Sequence, residues 1–148
     1  MLTNEQLFRI FIEDGFSKGD TSVFDKYASS DFIEHQYGFN PPNAVGVKNA
    51  INSLHHSFPD FSLTIEDTIS DGDKVWGRMI GRGTHMKQFG PIPPTNKKFE
   101  ITVIDIMRFN DEKLIEHWGV PDRLALMEQL GMKPPPKIIM KILSILKN

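Results

Sequence analysis

The chain contains no cysteine. Disulfides, thiolate catalysis and cysteine-based zinc sites are therefore excluded. The absence fits a reducing cytoplasm, the expected location. An excess of one charge is also missing: 17 basic residues face 19 acidic ones, for a net charge of −2. Nothing in that balance suggests a nucleic-acid surface. No apolar run approaches the ~20 residues that span a bilayer. The opening MLTNEQLFRIFIEDGF lacks a basic region and a small-residue cleavage site, so it reads as a folded helix rather than a signal peptide. There is no HExxH pattern, and GRGTH lacks the ending and context of a phosphate loop. No serine elbow is present. His55 and His56 are neighbours on one helix and diverge by about 100°, which suits no shared metal. No metal or cofactor is expected.

What is present is enough apolar material, 39% of 148 residues, for one real core. Thr3 and Gln6 form a capping box, with Leu2 and Leu7 placed as a hydrophobic staple. Leu7, Phe8, Phe11 and Ile12 give an apolar helical face that stops at Gly19. Asp20 caps a short second helix, and a third carries Val47, Ile51 and Leu54 up to Pro59. The period then changes to two. FSLTIEDTIS, KVWGRMIGRGTH, FEITVIDIMRF and LIEHWGVP read as strands joined by turns, most simply antiparallel. The fold class is α+β, with helices on one face of a curved sheet. The domain is expected over 1–131. A proline-rich linker and short amphipathic C-terminal helix, KIIMKILSILKN, follow over 132–148. That helix docks on its own domain or a sister subunit, or alternatively lies on a membrane surface.

The order FPD, GDKV, GTH, GPIPPT and HWGVPD resembles the SnoaL-like polyketide cyclase family, within the group sharing the nuclear-transport-factor-2 fold. The likeness runs from about Thr3 to Gly131. It implies a cone-shaped antiparallel sheet around a pocket, plugged by N-terminal helices, and a partner in a second copy of the chain, since sheet faces in this fold commonly pair as dimers. It implies aldol-type closure of a polyketide ester without cofactor. By that resemblance Asp122 matches the family's acid/base residue, His85 a second pocket residue and His35 a cavity-lining one. Many relatives carry Asn where this chain has Gly119, so any contact made by that amide is missing here.

The residues themselves support several roles. In extended backbone Glu116, Trp118, Val120 and Asp122 share one face, and Ile115, His117 and Gly119 the other. If the Trp face is the cavity, burial raises the Asp122 pKa toward a range useful for proton transfer from carbon. The rival role is capping the helix RLALMEQLG. His85 donates to an enolate oxygen or is a turn residue. Trp76 and Trp118 form cavity walls or plain core. Arg78 binds a substrate carbonyl or pairs with Asp105, and Asp105 is either a pocket residue or exposed. The expected ligand is a small, mostly apolar carbonyl compound. Three functions follow: a cyclase or ketosteroid isomerase-like enzyme using Asp122 and His85, an epoxide hydrolase using Asp105, Arg78 and Asp122, and a non-catalytic small-molecule binding domain.

Overall fold

The computed structural model describes residues 1–132 and 144–145. The linker and helix expected over 132–148 lie, apart from residues 132, 144 and 145, outside the described residues. Helix α1 (Asn4–Arg9) opens on the expected capping box: Gln6 N donates to Thr3 Oγ1 at 3.2 Å and Thr3 N to Gln6 Oε1 at 2.9 Å. It continues as a π-helical stretch, Ile10–Ser17, that buries Phe11, Ile12 and Phe16. Gly19, at φ +77°, ends it in a conformation that favours glycine. Asp20 Oδ1 then accepts from Ser22 N at 3.0 Å and starts α2 (Ser22–Tyr27). Helix α3 (Ala44–Ser57) is capped by Asn43.

Five strands follow the helices or lie between them: β1 (Ala28–Glu34), β2 (Ser62–Asp71), β3 (Lys74–Thr84), β4 (Lys98–Asn110) and β5 (Lys113–Pro121). They form one sheet in the order β1-β5-β4-β3-β2. The four later strands make the expected antiparallel meander. Strand β1 adds to β5 in parallel, a pairing that local turn signals cannot announce because it joins distant segments. Helix α4 (Arg123–Gln129) closes the last strand.

Alternation sets the two faces of the sheet. Along β4 the inner face carries Phe99, Ile101, Val103, Asp105, Met107 and Phe109, all buried. The helices lay Leu7, Phe8, Phe11 and Ile12 against that face, each fully buried. Phenylalanine rings fill much of the space between, with Phe11 on Phe24 and Phe58 on Phe99 both at 5.0 Å and edge to face. Gly77 permits a close approach of α1 to β3: a side-chain carbon there would stand 2.3 Å from Phe8 Cζ.

Candidate active site

The segment EHWGVPD lies on β5 with the parity opposite to the one the site reading assumed. Trp118 and Val120 face outward, and His117 and Gly119 face the core. Trp76 follows the same rule. It is 47% exposed and stands in an outer row with Ile69, Ile106 and Trp118. The two indoles therefore do not wall an interior cavity. His35 stacks on Trp118, 4.6 Å between ring centres and 5° between planes. Its Nε2 is 3.7 Å from Glu116, which also binds Arg108 at 2.8 Å.

Asp122 is exposed and caps α4, accepting from Ala125 N at 2.9 Å. It does not occupy a dry hollow, so the burial expected to make it basic is absent. Arg78 is also on the outer face and pairs with Asp67 at 2.7 Å, not with Asp105. Arg78, Asp105 and Asp122 consequently do not converge on one water, as the epoxide-hydrolase reading requires. His85 is fully buried beyond the end of β3, with Nδ1 3.0 Å from Thr95 Oγ1 and its ring against Phe58. Its backbone N–H meets the Lys97 carbonyl. Asp122 N–H meets that of Thr102, about 17 Å further along β4 at the usual strand rise. The fold therefore separates His85 from Asp122.

The structure instead assembles an ionisable cluster on the inner face. His117 is 1% exposed, and Glu34 and Asp105 are each 3% exposed. Glu34 lies beside His117 in the parallel β1–β5 register. His117 Nδ1 donates to Glu34 Oε2 at 2.7 Å. Asp105 is a diagonal neighbour across the β4–β5 pair. Its Oδ2 is 3.3 Å from His117 Nε2, an ion contact and not a hydrogen bond. Glu34 Oε1 is held by Gln36 N at 2.7 Å. Phe16, from the π-helical stretch, covers the imidazole at 5.8 Å.

Burial by itself pulls the His117 pKa down, but Asp105 and then Glu34 more than offset it and raise the pKa to about 10. At neutral pH the ring is an imidazolium held between two carboxylates. Both of its nitrogens carry a proton, Nδ1–H donating to Glu34, and neither has a lone pair for a base or a metal. The remaining acceptor is Asp105 Oδ1, buried and without a hydrogen bond among the described residues. A carboxylate oxygen so placed, beside a fixed cation, can take up a proton while the cation stabilises negative charge next to it.

Two of the hollows among the described residues bear on the site. One, about 380 Å³, is lined by His35, Tyr37, Gly119, Val120, Pro121 and Arg123, and Gly119 is the partner of Asp105 across β4–β5. The other, about 450 Å³, holds Asp60, Arg82, Thr84, Lys98, Glu100 and Gln129. It is larger but farther from the cluster, and its charges are largely paired: Arg82 with Glu100 at 2.8 Å, and Asp60 with Thr84 at 2.6 Å.

Sequence reasoning named Asp105 but missed Glu34 and His117. The parity signal was available. Phe99, Ile101, Val103, Met107 and Phe109 occupy the odd positions of β4, which places Asp105 inward with them.

Comparison with known proteins agrees with this architecture. Residues 6–130 match the family model of the SnoaL-like polyketide cyclases. The chain is 23% identical to the nogalonic acid methyl ester cyclase of Streptomyces nogalater over 128 residues, which cover 78% of this chain and 89% of that one. The structure of TsrD from Streptomyces laurentii is similar at a TM-score of 0.78 and 27% identity, over 87% of this chain and 95% of that one. IdmH from Streptomyces antibioticus, a candidate polyketide cyclase, matches at a TM-score of 0.78 and 27% identity, over 88% of this chain and 100% of that one. The helices on a five-stranded, mainly antiparallel sheet are thus the nuclear-transport-factor-2-like fold, and the chain belongs to the SnoaL-like polyketide cyclase family.

Proposed function

We propose that the protein is a cofactor-independent cyclase that closes a ring within a small, mostly apolar carbonyl compound. Asp105 Oδ1 takes a proton from the carbon alpha to a carbonyl. The resulting enolate carbon attacks a second carbonyl of the same molecule and forms the new carbon–carbon bond. The alkoxide so produced recovers the proton from Asp105, and the product is an isomer of the substrate. The His117 imidazolium, oriented by Glu34, stabilises the negative charge that builds beside it. The observation that carries this reading is the buried Asp105 oxygen without a hydrogen bond among the described residues, set against a buried cation on the inner face of the sheet.

Nogalonic acid methyl ester, the compound named for the Streptomyces nogalater relative, is the first substrate to assay. Removing a general base costs roughly 10²–10⁴ in rate, so Asp105→Asn is expected to lose that much turnover while keeping its circular dichroism spectrum. Wild-type turnover by Asp105→Asn refutes the role. A second reading, small-molecule binding without turnover, draws support from Asp122, which is occupied as a helix cap. It is favoured if calorimetry detects binding of the ester by the wild-type protein and no product forms.

A further inference from the structure

Asp105 is bracketed by glycines. Across the inner face its two register partners are Gly77 on β3 and Gly119 on β5. Neither supplies a side chain to cover it, and other segments fill the two gaps. Over Gly77 lies the ring of Phe8. Over Gly119 lies the carboxamide of Gln36: a side-chain carbon at 119 would stand 1.9 Å from Gln36 Oε1 and 2.9 Å from Asp105 Oδ1. The amide and the carboxylate oxygen without a hydrogen bond therefore meet at the space that residue 119 leaves empty.

The backbone around Gln36 is pinned. Its own N–H is on Glu34 Oε1, His35 N–H is on the His117 carbonyl at 2.9 Å, and the Tyr37 carbonyl accepts from Arg123. The Gln36 side chain makes no hydrogen bond among the described residues, so it can turn while its backbone stays fixed. Its chain neighbours His35 and Tyr37 line the 380 Å³ groove together with Gly119. Gln36 is thus flanked in the chain by two groove-lining residues, while its carboxamide lies over Gly119 beside Asp105. A carboxamide suits the position chemically. It is neutral, so it adds no second charge to desolvate beside the carboxylate. It also offers an N–H end and a C=O end to its two sides.

We propose that Gln36 is a substrate-positioning residue of this site. In the free protein its carboxamide fills the space over Gly119 and covers Asp105. When a flat carbonyl compound enters from the groove, the amide turns aside and donates its N–H to the substrate's carbonyl oxygen, leaving Asp105 Oδ1 facing the adjacent carbon. The inference rests on the acid/base reading of Asp105 and adds the route of entry and the group that orients the carbonyl.

The first test needs no substrate. A water-soluble carbodiimide with an amine labels accessible carboxyl groups, and peptide mass spectrometry reads each site. Asp105 is expected to be protected in the wild type and to label about tenfold or more faster in Gln36→Ala, because the cover no longer has to open. Glu34, held by the same backbone, is expected to remain protected. In the double variant Gln36→Ala/Gly119→Asn the amide hangs from the other strand into the same space, and protection of Asp105 is expected to return. Equal labelling of Asp105 in wild type and Gln36→Ala overturns the covering role. Should Glu34 also label in Gln36→Ala, Gln36→Leu decides: a side chain of similar size restores protection of both groups if cover is the cause, and continued exposure of Asp105 counts against it.

The second test is kinetic, with nogalonic acid methyl ester as probe. Gln36→Leu keeps the cover but has no amide, so KM is expected to rise and kcat to fall, with a combined loss on the order of 10²-fold, as for a removed carbonyl-oxygen donor. Wild-type KM and kcat in Gln36→Leu overturn the positioning role. The two readings fail separately: an active Asp105→Asn removes the acid/base reading. An inactive Asp105→Asn with unchanged labelling in Gln36→Ala removes only the role of Gln36.

Discussion

His117 is the residue whose state governs the cluster. Its pKa in the folded protein, about 10, lies above its ordinary value of 6.5. Below pH 6.5 both folded and unfolded chains hold the proton, and the stabilisation is present in full. Between 6.5 and 10 the unfolded chain releases it first, so stability falls as the pH rises through this window and the contribution is gone above 10. Urea titrations from pH 6 to 10 are expected to show this decline. They are expected to show less of it in Glu34→Gln, where one of the two carboxylates holding the proton has been neutralised. A flat profile in the wild type, after the lysines and tyrosines are accounted for, means that the imidazole is neutral and the charge assignment is wrong. Whether His117 or Trp118 faced the core was one choice of parity in the sequence, and the odd positions of β4 carried the information to make it.

At the scale of elements, the close contacts between segments set the limits. Gly77→Ala places a carbon against the ring of Phe8, which is fully buried and has little room to move. Overpacking of this kind costs about 1–3 kcal/mol, to be read as a lower urea midpoint with an unchanged slope. An unchanged midpoint would show that α1 rides farther above β3 than described. Asp122 provides the opposite case. Asp122→Ala removes the cap of α4 and is expected to cost about 1 kcal/mol with kcat left intact. Loss of turnover at full stability would instead return Asp122 to the chemistry, as its match to the family's acid/base residue implied. The capping box of α1, the stop at Gly19 and the meander were legible locally, because each depends on residues a few positions apart. The parallel seat of β1 beside β5 was not. It is set by burial of Phe32 and Glu34 against distant strands.

For the molecule as a whole, the outer face of the sheet is the feature without an internal partner among the described residues. Ile69 is 70% exposed and Trp76 47%, and the two pair directly across β2–β3; Val120, 68% exposed, lies on the same face two strands from Trp76, beside Ile104. A patch of this composition with balanced charges at its edges, Arg78 with Asp67 and Arg82 with Glu100, suits a second copy of the same face, packed about a two-fold axis. The expected outcome is a homodimer by sedimentation equilibrium, and a monomer for Trp76→Glu with an unaltered fold. A monomeric wild type at micromolar concentration would leave the face without this role.

The order of elements, the α+β class and the family likeness followed from the sequence by itself, because periodicity, caps and turns are short-range properties of the chain. Which side of the sheet is dry was decided only in three dimensions. Burial belongs to the packed helices and not to any single strand, and the same alternation in β5 allowed either face to be the inner one. That packing turned the tryptophans outward, left Asp122 in solvent, and drew Glu34, His117 and Asp105 from three strands into one buried cluster.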